Sequence, residues 1–239
     1  MEQAAQAVKR FYKQALVTRL GDDRFGIMLD SRPVKTPSKA LLAVERLRLA
    51  EAIAGEWADQ DDTVNPHAMP FTGLANAVID IVAPDPAAFG RGIASYAESE
   101  LLCYRATDDQ ADLTARQEQV WGPVLAWART RYDIGFTVVA GVMHQPQPGQ
   151  SLTRLRDAVL AQSDWTLAAL QPIITITGSC VLGLAIAEGH LAGEAAFDIA
   201  HLDELWQAEQ WGEDHFALQT REAHRTEMLA AVRFLELCR

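Results

Sequence analysis

The chain has very little lysine, and one long stretch has no basic residue at all. All four lysines lie within the first 39 residues, and neither lysine nor arginine occurs between Arg156 and Arg221. An anionic surface repels phosphate backbones, so nucleic-acid binding is not expected, whereas a partner with a basic or amide-rich surface would be attracted. A merely solvated helix surface is the alternative interpretation. The stretch contains ten carboxylates: Asp157, Asp164, Glu188, Glu194, Asp198, Asp203, Glu204, Glu209, Glu213 and Asp214.

Cysteine is also scarce. The three cysteines, Cys103, Cys180 and Cys238, are far apart and form no C-x-x-C pair that could hold a metal ion or exchange disulfides. A reducing compartment is the simplest interpretation. The first residues show neither a secretory signal nor an arginine-rich, acid-poor transit peptide. We therefore expect a bacterial cytoplasmic protein, for which the mitochondrial matrix would be the eukaryotic equivalent.

The usual signatures of nucleotide and metal sites are missing. The segment GSCVLG, residues 178–183, lacks the Lys-Ser/Thr end of a phosphate-binding loop, and Gly90 with Gly92 lacks the third glycine of a dinucleotide-binding turn. None of the six histidines forms an H-E-x-x-H motif or an E-x-x-H pair on one helix face. The sequence therefore predicts no cofactor and no metal.

An enzyme of unknown reaction is kept as the main alternative. Its site would lie between two domains, where pockets commonly form, with His67, Asp61 and Asp80 as candidate residues. A solvated loop histidine is the simpler interpretation of His67. Cys180 lies in the most apolar part of the chain, where a thiol is usually inert packing.

A single long run lacks formal charge. It extends over 23 residues from Trp165 to Ala187, which is long enough to cross a bilayer. Pro172, Gly178 and several polar groups would then lie in the hydrocarbon. A buried helical hairpin, bent near Pro172 or Gly178, is predicted instead, and a membrane-associated adaptor remains a third hypothesis.

The hydrophobic period changes along the chain. Phe25, Ile27 and Leu29 alternate with less apolar residues after a turn-forming Gly-Asp-Asp, which predicts a strand entered from a hairpin. After about Glu45 the helical period dominates. We predict an α+β fold, in which a small amino-terminal domain of antiparallel strands with a helix (1–64) precedes a larger all-helical domain (65–239). The boundary is placed between residues 61 and 86.

The segment from Glu56 to Asp80 combines a helix end, a polar loop and a helix start. Leu49, Ile53 and Trp57 form one apolar stripe on the helix that arrives at the loop. Prolines in the loop favour extended backbone before them, so the next helix is expected to begin near Phe71 or Thr72. The segment is interpreted as a joint and not as an active site.

Several separate motifs occur along nearly the whole chain: RFYK (10–13), FGIMLDSRPVKTP (25–37), Glu56 with Trp57 and Gln60, MPFTGLAN (69–76), LLCYR (101–105), and WGED (211–214). In these motifs the chain resembles one protein family, the assembly chaperones of the soluble catalytic sector of F-type ATP synthase, which hold the isolated alpha subunit before it joins the beta subunit. Ser31 departs from the pattern, since the family's turn more usually has glycine there.

The resemblance implies a function that needs no chemistry. A chaperone of this family binds the unassembled alpha subunit, covers its subunit interface and promotes assembly of the catalytic sector. Acidic residues near the WGED motif are implicated in handling the alpha subunit, and in this chain they are Glu213 and Asp214. A monomer without cofactor and without stable membrane insertion is expected.

Two tryptophans complete the predicted partner-binding set. Trp211 lies beside Glu213 and Asp214, where one helix is expected to give way to the last one at Gly212. Carboxylates at a helix start also cap free amides and complement the helix dipole, which alone could explain them. Trp57 is either a surface anchor for the partner or a core residue that holds the two domains together.

Overall fold

A computed structural model describes residues 8–21 and 23–239. The chain divides into two compact units, which are Met1–Pro84 with Arg233–Arg239 (unit 1) and Asp85–Val232 (unit 2). The domain boundary inferred from the sequence stays a prediction.

Unit 1 contains short antiparallel strands, among them β2 (Ala15–Leu20), β3 (Arg24–Leu29), β4 (Arg32–Pro33) and β5 (Ala43–Val44), together with β1 (Val8–Lys9) and β6 (Thr63–Val64). β2 and β3 form a hairpin whose register pairs Ala15 with Leu29 and Leu20 with Arg24. Ile27 is fully buried and Leu29 nearly so, whereas Phe25 is half-buried and Gly26 is buried. The strand entered from a hairpin is confirmed, although its burial alternates less strictly than predicted. β4 and β5 both pair with β3, and β1 pairs with β6.

The turn after β3 explains why serine is acceptable at residue 31. The residue with left-handed backbone is Asp30, whose φ is 52°, and Ser31 is not among the described residues with positive φ. The Asp30 carboxylate accepts hydrogen bonds from the backbone N–H groups of Lys13 (3.1 Å) and Gln14 (2.9 Å). Since Ser31 itself does not take the left-handed conformation, the turn does not need a glycine at residue 31.

The joint between Glu56 and Asp80 is built around one carboxylate. Helix α1 (Leu47–Ala58) buries Leu49 and Ile53, and helix α2 (Pro70–Ala77) continues into a π-helical turn, Val78–Val82. The Glu56 carboxylate accepts hydrogen bonds from the N–H groups of Phe71 (2.6 Å) and Thr72 (2.8 Å), so it caps α2. Burial raises the pKa of Glu56, although these bonds oppose the shift.

Unit 2 is mainly helical, which confirms the predicted α+β class with a larger helical part. It also contains one short parallel pair, β7 (Tyr104–Arg105) with β8 (Val139–Ala140). The last residues of helix α10 (His215–Cys238), from Arg233 onward, belong to unit 1. The other α-helices of unit 2 are α3 (Pro86–Ala94), α4 (Ala111–Tyr132), α5 (Gly149–Leu160), α6 (Asp164–Thr177), α7 (Cys180–Ala187), α8 (Gly193–Ala200) and α9 (Leu202–Trp211).

The uncharged run from Trp165 to Ala187 forms the buried hairpin of α6 and α7. The two helices are separated at Gly178, which has a left-handed φ of 64°, and Ser179 then accepts a hydrogen bond from the Leu182 N–H at 2.9 Å. In the described part of the chain, no helix is both long and apolar enough to span a bilayer. Most side chains of α6 and α7 are buried, so the hairpin forms part of the core of unit 2.

Close packing between α6 and α7 predicts a stability effect at Gly183. A Cβ atom there would overlap Ile174 Cγ1 and lie 3.0 Å from Ile174 Cδ1. We expect Gly183→Ala to lower the free energy of unfolding by about 1–3 kcal/mol because the buried helices must separate. Gly55→Ala is the control, since a Cβ at this α1 position meets no atom within 4 Å and should stabilise the helix by about 0.5–1 kcal/mol. Urea unfolding measures both, and equal stability of the two variants would contradict the packing argument.

Candidate partner-binding surface

The junction between α9 and α10 brings together three residues predicted from the sequence. Helix α9 ends at Trp211, and Gly212 turns the chain with a φ of 87°. Asp214 Oδ1 then accepts a hydrogen bond from the Ala217 N–H at 2.9 Å, which caps the first turn of α10. Glu213, next to Asp214, is also exposed.

Glu213 has an intramolecular partner. Its carboxylate forms an ion pair with Arg221 at 2.5 Å, and Arg221 is buried with only 8% of its surface exposed. Removing the carboxylate would leave a buried guanidinium without its counter-charge, which is destabilising. Glu213 and Asp214 therefore both stabilise the junction, and a change at either residue would alter the shape of the surface as well as its charge.

Exposed aromatic side chains border a groove at this junction. Trp211 is 72% exposed and Phe216 is 76% exposed, although large aromatic residues are normally covered in a folded chain. Trp206 packs against Trp211 in an edge-to-face contact, with ring centroids 5.8 Å apart. The groove has a volume of about 500 Å³. Residues from both helices line it, including Glu204, Gln207, Trp211, Phe216, Arg221 and His224.

Trp57, the fourth predicted residue, lies in unit 1 and does not line this groove. It is half-buried, and its ring packs edge-to-face on Tyr12 with centroids 5.8 Å apart. Its backbone carbonyl also accepts a hydrogen bond from the Tyr12 hydroxyl at 2.6 Å. These contacts favour the interpretation of Trp57 as a packed residue over that of a partner anchor.

The acidic stretch is less anionic than its sequence indicates. Several of its carboxylates pair with arginines from outside the stretch, and within the described ranges Asp203, Glu204 and Asp214 form no ion pair. The sequence does not indicate this neutralisation, because most of the arginines are 27 or more residues away from their partners along the chain. The pairs are Glu188 with Arg131, Glu194 and Asp198 with Arg225, Glu209 with Arg116, and Glu213 with Arg221.

The candidate residues of the enzyme alternative show no shared site. His67 and Asp61 are exposed, and Asp80 accepts a hydrogen bond from the Ser38 N–H at 3.0 Å. Within the described ranges, no hydrogen bond or ion pair joins these three residues. Burial raises the pKa of the Cys180 thiol and raises that of Cys103 to about 12, so both thiols stay protonated at neutral pH.

A metal site is likewise not formed by the residues that the structure describes. Among them, no three histidine, cysteine, aspartate or glutamate side chains come together as a set of ligands.

Comparison with known proteins identifies the family. The family model described as "ATP12 chaperone protein" matches residues 9–129 of this chain. The chain belongs to the ATP12 chaperone family. This confirms the resemblance inferred from the motifs, namely to the assembly chaperones of F-type ATP synthase.

Solved and curated relatives extend the match over the rest of the chain. The crystal structure of Atp12 from Paracoccus denitrificans has a TM-score of 0.90 at 33% identity, and the alignment covers 97% of this chain and 99% of that one. A solved protein of Agrobacterium tumefaciens is 41% identical with a TM-score of 0.90, over 97% of this chain and 86% of that one. Mitochondrial atp12 of Schizosaccharomyces pombe is 25% identical over 220 residues, which are 85% of this chain and 74% of that protein. The ATP12 fold therefore includes the α9–α10 junction, beyond the part covered by the family model.

Proposed function

We propose that this ATP12-family chain binds the unassembled alpha subunit of ATP synthase and covers the face that alpha later presents to the beta subunit. The observation that carries the proposal is the groove at the α9–α10 junction, with Trp211 and Phe216 exposed beside it. Aromatic side chains are enriched in the buried centres of protein interfaces, and tryptophan is among the residues that contribute most binding energy there. Contact between these apolar side chains and water is unfavourable in free energy, and a binding partner that covers them removes this cost.

The physical task requires only reversible covering. An unassembled ring subunit exposes its apolar interface, and large exposed apolar patches promote aggregation. The chaperone must bind well enough to prevent self-association of alpha and be displaced by the beta subunit, whose larger interface binds more tightly. No group transfer is needed, so we propose that the chain acts as a monomer, without a catalytic step or cofactor, in the bacterial cytoplasm.

Affinity capture tests the proposed partner. The tagged chain is expressed in cells of its source organism, and the proteins bound in stoichiometric amounts are identified by mass spectrometry. We expect the ATP synthase alpha subunit without its beta subunit. The proposal is wrong if alpha is expressed and the chain is folded but alpha is absent from the captured material.

Charge at the groove should affect the rate of association. Glu204 is exposed, lines the groove and has no ion-pair partner among the described residues, so Glu204→Lys changes charge without breaking an internal contact. We expect about 3- to 10-fold slower association with alpha at low salt and a smaller effect at high salt, because screening weakens steering. Stopped-flow fluorescence measures the rate.

The control for this charge change is Glu51→Lys in α1, which alters the net charge equally at an exposed position of unit 1. It should associate at nearly the wild-type rate. Equal slowing by both substitutions would assign the effect to net charge and not to the groove.

A further inference from the structure

A second depression lies on unit 2 and adjoins the groove. It has a volume of about 240 Å³ and is lined by Asp203 and Gln207 of α9 together with Arg105, Gly141 and Val142. Gln207 lines both the depression and the groove. The two concave regions therefore meet along α9 and form one continuous surface.

An apolar loop tip borders the second depression. Val142 is 91% exposed and Met143 is 76% exposed, and only Gly141 separates them from β8. The hydrophobic pattern does not predict this exposure, because the segment that follows, residues 144–151, is polar. Two adjacent apolar side chains at such exposure have no packing role in unit 2.

Hydrogen bonds hold the base of this loop in place. The Gly141 N–H donates to the Arg105 carbonyl at 2.8 Å, and the Tyr104 hydroxyl lies 3.0 Å from His144 Nδ1. The Gln147 side chain bonds both the N–H and the carbonyl of Thr137, at 3.0 and 2.9 Å. A loop fixed at its base loses less conformational entropy on binding, so its tip is preorganised for contact.

The depression is lined by one basic and one acidic side chain, Arg105 and Asp203. The Arg105 guanidinium donates to the Leu102 carbonyl and pairs with Glu118 at 3.4 Å. Asp203 is half-buried and accepts a hydrogen bond from the Gln117 amide at 2.8 Å; burial raises its pKa, while this bond and the positive charge of Arg105 oppose the shift. Among the described residues Asp203 forms no direct ion pair, so a basic group of the partner that enters beside it would supply one.

The number of residues that line the groove also indicates that the binding surface is larger than the groove alone. About a dozen residues line the groove, whereas a stable protein–protein interface engages roughly 20–30 residues on each side. The depression contributes nearly as many again, and the apolar loop tip adds to them.

We propose that the surface for the alpha subunit continues from the groove across Gln207 to the second depression, with Val142 and Met143 as a second apolar anchor. This inference rests on the proposed function. The matching part of alpha is an apolar ridge that carries an arginine or lysine facing Asp203. The surface thus has one apolar anchor on each side of α9 and a carboxylate between them.

The test uses the full chain with Val142→Ser and Met143→Ser combined. Because both side chains are exposed, the variant should fold with an unchanged Tm, and its Kd for purified alpha subunit should be at least about 10-fold weaker than that of the wild type. Leu16→Ser is the control, since Leu16 is 54% exposed in unit 1, and it should bind as the wild type does. Isothermal titration calorimetry measures the Kd, and light scattering records the oligomeric state of each chain alone.

The outcomes separate this inference from the proposed function. If groove variants weaken binding but the loop variant binds alpha as the wild type does, the extension of the surface is wrong while the function stands. If the loop variant changes only the self-association of the chain, the tip is a contact between copies and the extension is again wrong. If the folded wild type does not bind alpha, the proposed function and this inference both fail.

Discussion

Replacing Trp211 and Phe216 together with alanine is expected to weaken binding of the alpha subunit by about 30-fold or more. Truncating a dominant interface aromatic typically costs ~2 kcal/mol or more, and every 1.4 kcal/mol is about tenfold in Kd. The chain's own stability should change little, because the two side chains are 72% and 76% exposed. Calorimetry measures the affinity, and circular dichroism checks the fold.

The matched control removes apolar surface of similar exposure from unit 1. Leu16 is 54% exposed and Leu47 is 45% exposed, so Leu16→Ala with Leu47→Ala deletes exposed carbon without touching the groove. This control should retain wild-type affinity. The groove is not the binding site if the folded Trp211/Phe216 variant stays within about twofold of the wild type, or if the control loses as much affinity.

The second large effect concerns Glu100, a fully buried carboxyl group in unit 2. Its carboxylate accepts a hydrogen bond from the Val181 N–H at 3.1 Å, next to the start of α7. Burial raises the pKa of Glu100 to about 7 from an ordinary value of 4.5, and hydrogen bonds from Ser179 and neighbouring backbone groups oppose the shift. In the folded chain this group therefore stays protonated over a pH range in which the unfolded chain has already lost the proton.

The contribution of Glu100 to stability decreases as the pH rises. A carboxyl group with a raised folded-state pKa contributes full stability below pH 4.5, and this contribution is lost as the pH rises through about 7. One pKa unit corresponds to 1.36 kcal/mol, so the loss amounts to about 3 kcal/mol. Glu100→Gln cannot ionise. The free energy of unfolding of the wild type, minus that of Glu100→Gln, should therefore fall by about 3 kcal/mol between pH 4.5 and pH 8.

Urea unfolding across this pH range measures the difference. Subtracting the two curves removes the contributions of other carboxyl groups, including Glu56 and Asp203, whose pKa values burial also raises. Glu98→Gln is the control, since Glu98 is an exposed glutamate two residues away. Its curve should run parallel to that of the wild type. If the free energy of unfolding of Glu100→Gln changed with pH as that of the wild type does, the assigned burial of Glu100 would be contradicted.

Local patterns predicted the elements that depend on near neighbours. The alternation at Ile27 and Leu29 marks β3 because one face of a strand is buried, and Gly178 marks the break between α6 and α7 because it takes a left-handed φ. The change of helix at Gly212 is visible for the same reason. These features need no information about distant parts of the chain.

Contacts between distant residues could not be predicted in this way. Glu56 caps α2 from 15 residues away, and the buried Arg221 pairs with the exposed Glu213. Neither contact follows from a hydrophobic period in the sequence. The exposure of Val142 and Met143 depends on how the rest of unit 2 packs. The sequence therefore located the α9–α10 junction as a candidate site, but its groove, its internal ion pairs and its apolar neighbour required the structure.

The most direct test of the proposed covering role is a competition experiment between the chain and the beta subunit for purified alpha subunit. Size-exclusion chromatography with light scattering gives the composition of each complex as beta is added to a preformed complex. We predict a one-to-one complex of the chain with alpha, from which beta displaces the chain as the alpha–beta assembly grows. A stable ternary complex, or no complex with alpha at all, would contradict the claim that the chain covers the face destined for beta.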